Sequence, residues 1–287
     1  MLADAIRAES YRFSLNRLQV FVSVVMTPLL FAIGGALFHY FSKAKGDEAA
    51  QEVGLALPPS SVPVNLGEAF SFAASNSANG VILICILIGA ATIYAGDYRW
   101  ESWRLISARN DRVSLILAKV GVVKLVAIAS SLLFLAAAFV FLITEAVVYG
   151  RGLSFSVDAA ELGQAGLVWL LSYVRIVQFT MIALLTAVMS RSLLAALFVP
   201  WALGFVQSLF GQIMVPLLGW EPQMWAPQLL LPGLAYDTLK AAVAPGPMEA
   251  PFTDATVWRS LTGLALWTIL PLAGALAWFR RQDLSKE

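Results

Sequence analysis

Between Asp97 and Lys119 the chain sets Trp100, Trp103 and Ile106 at helical spacing, with Arg99, Glu101, Arg104, Arg109 and Arg112 around them. These residue types recognise partners; they do not break bonds. Trp and Arg are enriched where proteins bind proteins, and a short amphipathic helix with both signs of charge gives a partner an apolar stripe and a charged rim. The same types also suit a membrane surface, where Trp lies at headgroup level and Arg meets anionic lipid.

A second set lies inside an apolar run. Arg175, within the stretch Leu170–Phe179, costs at least about 2.5–3.5 kcal/mol at the centre of a membrane helix unless it is paired or hydrated. It either faces a cavity or a partner carboxylate, or it pairs with Glu145 or reaches outward along its own stem. Gln178, Gln207 and Gln212 extend a polar lining in the first case and serve equally as hydrogen bonds between helices in the second. No His, Cys and carboxylate set has metal-ligand spacing, and the single His, His39, falls at the edge of a span, where solvation is expected. No catalytic residue or metal ligand is therefore assigned.

The elements that must carry these residues are apolar. The chain is 59% hydrophobic and 13% charged, with a mean hydropathy of +0.77, against about 25% charged residues in soluble domains. Six runs are long enough to cross a hydrocarbon core at about 1.5 Å per helical residue: 18–41, 77–96, 120–149, 167–190, 193–218 and 257–279. They do not alternate as the strands of a membrane barrel do. The fold expected is an all-α integral membrane protein. Residues 1–17 form an amphipathic lead, and 18–287 form one six-helix domain. In the lead, Asp4/Arg7 and Glu9/Arg12 are spaced to pair on a helix, and Leu2, Ile6 and Phe13 are expected to face the membrane. The first run is too long for the apolar core of a secretory signal, so a retained N-terminus is expected. Cys85, the single cysteine, lies inside the second run and reads as a small buried apolar residue.

Lys and Arg sort the connections into two classes. Arg7, Arg12, Arg17, Arg99, Arg104, Arg109, Arg112, Lys119, Lys124, Arg191, Arg280, Arg281 and Lys286 fall on one side; Lys43, Lys45, Arg151, Lys240 and Arg259 fall on the other. Positive residues favour the cytoplasmic side, so both termini are expected there, with the 97–112 helix. The polar 42–76 segment, with Pro58, Pro59 and Pro63, reads as an external loop with little regular structure. The 219–256 segment is rich in Pro yet carries Trp220, Met224, Trp225 and Leu229–Leu231. It reads as an external re-entrant or interfacial element of short helices, because irregular backbone at membrane depth needs protein or a cavity against it.

With these residues in place, the chain resembles ABC-2 type transporter permeases. Asp97 matches the acidic end of that family's second span. Trp103, Leu105 and Ile106 match the aromatic and apolar positions that follow, and Arg112 and Lys119 match the basic ones. Glu101-Ser102 stands where Gly-Thr is usual, and Asn110 where Pro is common. The run Phe279–Leu284 resembles the family's exit from the sixth span. The resemblance implies a bacterial inner-membrane permease, paired with a second permease, identical or not, and with separate ATPase subunits that bind ATP and Mg. Asp97, Arg99, Trp100, Glu101, Trp103, Arg104, Ile106, Arg109 and Arg112 would form the coupling helix. No Gly-x-x-x-x-Gly-Lys-Ser/Thr loop occurs in this chain, so no cofactor is expected in it and the subunit is not itself expected to be an enzyme. The expected function is export of a hydrophobic or amphipathic substrate. The alternative is an ion-coupled secondary transporter without an ATPase, for which intramembrane carboxylates are usual. A membrane enzyme would need clustered catalytic groups that the sequence lacks.

Overall fold

The computed structural model describes residues 2–52, 62–99, 103, 111–221, 223–245 and 252–282, the Met214 side chain excepted. Six of its helices are long and apolar enough to cross a membrane: α2 (Arg17–Glu52), α4 (Gly80–Arg99), α5 (Arg112–Tyr149), α6 (Ala159–Ser190), α7 (Leu193–Leu217) and α10 (Asp254–Arg281). Four shorter helices complete the described set: α1 (Leu2–Leu15), α3 (Glu68–Asn76), α8 (Trp225–Leu230) and α9 (Pro232–Val243). A two-residue parallel pair, β1 (Val64–Asn65) and β2 (Leu153–Ser154), joins two connections. The architecture is all-α and that of a multi-pass membrane protein.

The helix ends follow local chemistry. Asn79 opens α4 by accepting from the backbone N–H groups of Val81 and Ile82, both at 3.0 Å. Asp111 opens α5 through Ser114 N–H at 3.0 Å, and Gly150, at φ 64°, closes it with a left-handed residue. Asp158 and Glu161 form a capping box at the start of α6. Within α2, residues Phe21–Val25 form a π turn.

The helices run past the hydrophobic limits read from sequence. α5 starts at Arg112 because Lys119 is neutralised inside the protein, and α2 continues through Lys43 and Asp47 to Glu52. α4 and α6 are the most enclosed spans, with Ile86, Leu87, Ala91, Met181 and Leu184 in the main core. α7 is the least covered. Its Leu194, Phe198, Trp201 and Phe205 stay exposed, the expected state of a face turned to lipid.

Three local expectations are corrected. Ile6 and Phe13 of α1 pack against the protein core, and of the three side chains expected at the membrane Leu2 alone stays exposed. Ile6 sits over Gly121 of α5, where a Cβ would come within 3.2 Å of it. The 42–76 segment is ordered at both described ends, by the continuation of α2 and by α3, whose Ala69, Ala73 and Ala74 are buried. His39 is buried, with its ring 4.4 Å from that of Phe141 and near Tyr149.

The first half of the 219–256 segment is indeed two short helices. Gln228, fully buried on α8, donates to Thr238 Oγ1 of α9 at 3.1 Å and accepts from Ser260 Oγ of α10 at 2.8 Å. Trp267 Nε1 donates to the Leu229 carbonyl at 2.7 Å. Gly263 allows this contact, since a Cβ there would run into the Gln228 carbonyl oxygen.

Candidate functional site

Two polar centres stand out, at different levels of the bundle. The first is at the end where α1, the close of α4, the start of α5 and the close of α10 meet. Asp97, 1% exposed on the last turn of α4, pairs with Lys119 Nζ at 2.5 Å and accepts from Arg12 Nη2 at 2.8 Å. Glu9 completes the set, 2.7 Å from Arg12 Nη1 and 3.4 Å from Lys119 Nζ. Lys119 also donates to the Ile93 carbonyl at 2.9 Å, which keeps a buried ammonium hydrogen-bonded. The Asp97 hydrogen bond holds the Arg12 guanidinium above its ordinary range.

Beside this set lies Trp103, 1% exposed. Its ring packs 4.7 Å from Phe279 and 5.5 Å from Tyr98, and Lys119 Nζ stands 5.2 Å from its centroid. Trp103 was expected on an exposed docking face; it is a core residue instead. Aromatic burial of this size outweighs any gain from presenting the ring to water. Arg112 donates to the carbonyls of Phe279, Arg280 and Gln282, at 3.3, 3.2 and 2.8 Å, and so caps the last turn of α10. The Gln282 amide lies 2.9 Å from Tyr98 Oη. Arg99 is exposed. Trp100, Glu101, Arg104, Ile106 and Arg109 lie outside the described residues.

The second centre surrounds Arg175. A cavity of about 250 Å³ is lined by Arg175, Gln207, Gln212, Ser208 and Asp237 among others. The guanidinium lies 4.7 Å from the Tyr236 ring and 5.6 Å from that of Phe179, within cation–π range. Gly233 lies against it: a Cβ there would make an ordinary contact of 3.5 Å with Arg175 Nη2. Among the described residues none accepts a hydrogen bond from the buried Arg175 Nη1. Tyr236 Oη, 2.8 Å from Ser172 Oγ, is tied to α6. Burial pushes the Asp237 carboxyl up, against the opposing pull of Arg175 and Lys240.

Arg175, Gln207 and Gln212 therefore line one cavity. Gln178 does not line it; it is buried among the helices. Glu145 is not the partner of Arg175. It pairs with Arg151 at 2.5 Å, just beyond the Gly150 cap, because that turn brings Arg151 back over the last turn of α5. Asp237 and Tyr236 were missed in the sequence. Their signal was the apolar stripe Leu234, Ala235, Leu239 with Lys240 three residues after Asp237, obscured by the surrounding prolines. Among the described residues no group of His, Cys, Asp and Glu is arranged to hold a metal ion.

Fold and site together define an all-α multi-pass membrane protein with a buried ionic fastening at the end that carries both its described termini. The chain belongs to the family described as "Protein of unknown function (DUF2705)", whose model matches residues 58–285. That match takes in Asp97, Trp103, Lys119, Arg175 and Asp237, and leaves α1 and α2 outside it. No curated protein and no solved structure matches the chain.

Proposed function

We propose that this protein is the permease subunit of an ATP-driven transporter of the ABC-2 type. In this reading it works with a second permease and with separate ATPase subunits that bind ATP and Mg. The observation that carries the reading is the fastening of the 97–112 connection at both ends. Asp97 ties its start to α1 and α5, and Arg112 ties its finish to the last turn of α10. Trp103 fixes its middle to Phe279. A push or pull on this connection is thereby delivered to α1, α4, α5 and α10 together, the property required of a coupling element. Trp103 serves as its root, and contact with the ATPase falls to Trp100, Glu101, Arg104, Ile106 and Arg109.

The Lys and Arg distribution favours a cytoplasmic position for this end and for both termini, in a bacterial inner membrane. ATP-driven closure of two ATPase subunits would draw two such connections together and shift the permease pair between inward and outward access. A partner can shift such an equilibrium only by binding the two states differently. Apolar span faces suit export of a hydrophobic or amphipathic substrate.

One observation favours a second reading, an ion-coupled transporter. Asp237 shares the Arg175 cavity and its carboxyl is raised by burial, the arrangement a proton-coupled carrier needs. Glu145, paired with Arg151, is a weaker candidate for that role. Affinity purification of the tagged protein from its native membrane in mild detergent, with mass spectrometry, separates the two. A stoichiometric ATPase with a P-loop is expected. Its reproducible absence from folded protein would overturn the first reading in favour of Asp237.

A further inference from the structure

Far from the Asp97 set, at the end that carries β1 and β2, two cavities of about 320 Å³ each adjoin at Phe70 and Leu162, which line both. The first is apolar and lies between α3, α5 and α6, with Ala74, Leu135, Ala165, Gly166 and Trp169 in its lining. The second is polar and includes Asn65, Glu68, Ser71, Glu161 and Gln164. On α6 the lining of the two runs from Glu161 to Trp169, about 12 Å along the helix.

The fold holds this groove open by fixed contacts. Val64 N–H donates to the Gly152 carbonyl at 2.8 Å, and Leu66 N–H donates to that of Ser154 at 2.9 Å. Asn65 exchanges two hydrogen bonds with the Ser156 backbone. Gly67 has no room for a Cβ against the Ser156 carbonyl. The starts of α3 and α6 are thus held together, with Glu68 and Glu161 at the polar mouth.

The charge at the mouth is of one sign. Among the described residues neither Glu68 nor Glu161 makes an ion pair, and no Lys or Arg lines either cavity. The positive ends of both helices are already answered by these first-turn carboxylates. An anionic or phosphate-bearing head would therefore meet net repulsion, whereas an ammonium gains two carboxylates.

We propose that this groove binds a single-chain amphiphile with a cationic head, the ammonium at Glu68 and Glu161 and the aliphatic tail against Ala165, Gly166 and Trp169. The site requires no ATPase and goes beyond the transport reading, so it stands or falls separately.

The test uses the full chain in phosphatidylcholine nanodiscs, with radiolabelled decyltrimethylammonium as the probe and empty nanodiscs subtracted. Saturable binding is expected. Gly166→Phe fills the apolar cavity without backbone strain, since a Cβ at Gly166 meets nothing within 4 Å. It should weaken binding at least about tenfold at unchanged thermal stability. Glu68→Gln with Glu161→Gln keeps a capping-box residue and should weaken the probe about five- to tenfold. Displacement of the probe by decanol should be unaltered by that pair. Absence of saturable binding, or binding indifferent to Gly166→Phe, would overturn the site. Equal affinity of the double variant for the probe would overturn cation recognition. Loss of probe binding when phosphatidylethanolamine replaces phosphatidylcholine would assign the groove to a membrane lipid and overturn the proposed occupant.

Discussion

The charges of Asp97 and Lys119 and the charge at Arg175 are all taken from water, yet they are treated oppositely. Around Asp97, four side chains from three helices neutralise one another within 3.4 Å, beside a smaller cavity of about 160 Å³ that all four line. Around Arg175, the cation rests on two rings, lines a polar cavity, and pairs with no carboxylate among the described residues. A mutually paired ionic set specifies one geometry, because parting Asp97 from Lys119 strands a buried charge in low dielectric. A cation held by ring faces beside a polar cavity can accept a further partner, whether ligand, water or a rearranged helix. The comparison assigns a fastening role to the first region and an adaptable role to the second.

Removing charge should separate the two most sharply. Asp97→Ala leaves Lys119, whose side chain is 3% exposed, without its nearest carboxylate. A loss of about 3–5 kcal/mol is expected, read as a lowered thermal midpoint in detergent. Combining it with Lys119→Met should recover much of that loss. A drop under about 1 kcal/mol in the single variant would break the comparison.

Trp103→Ala should cost a similar amount, about 3–5 kcal/mol, because it empties the space beside Phe279 and Tyr98. A Trp103→Ala protein of unchanged stability would return this side chain to an exposed docking face. Next comes Gly263→Ala, which forces α8 away from α10 at the Gln228 carbonyl; about 1–3 kcal/mol is expected by thermal unfolding. Arg175→Met should shift stability by less than about 1 kcal/mol either way. It loses modest cation–π contacts and relieves a poorly partnered charge.

The smallest effect is one of pH. The Asp237 carboxyl is raised in the folded protein, so the folded state holds its proton where the unfolded chain has lost it. Its contribution is present below the ordinary carboxylate value and fades as pH rises through the folded one. Thermal midpoints measured across that window should show a slope that Asp237→Asn removes. A slope unchanged in Asp237→Asn would take this carboxylate out of the adaptable region.

Periodicity and length made the six spans legible, because lipid demands long apolar helices and little else produces them. Their ends were not legible, since hydropathy stops at Lys119 whereas the helix does not stop at a charge paired inside the protein. α3 was hidden for a related reason. Its Ala69, Ala73 and Ala74 form a small-residue face spaced as a helix requires, but neighbouring Ser and Asn residues made the stretch look like loop. At the candidate site, Asp97, Arg112 and Lys119 stood out by charge and position. Residue type alone gave no direction for Trp103, because a Trp that docks to a partner and a Trp that fills a core read alike. Glu145 and Arg151 found each other through a left-handed Gly150 turn, and such a return of the chain has no mark in hydropathy.

The central claim is that an ATPase acts on this protein through the 97–112 connection. A photo-crosslinking amino acid placed at Arg109, and separately at Phe72 on the far end, tests it in intact cells. The account predicts an adduct with a P-loop ATPase from position 109 and none from position 72. A folded protein that gives no ATPase adduct from position 109, or gives one equally from both positions, would contradict it.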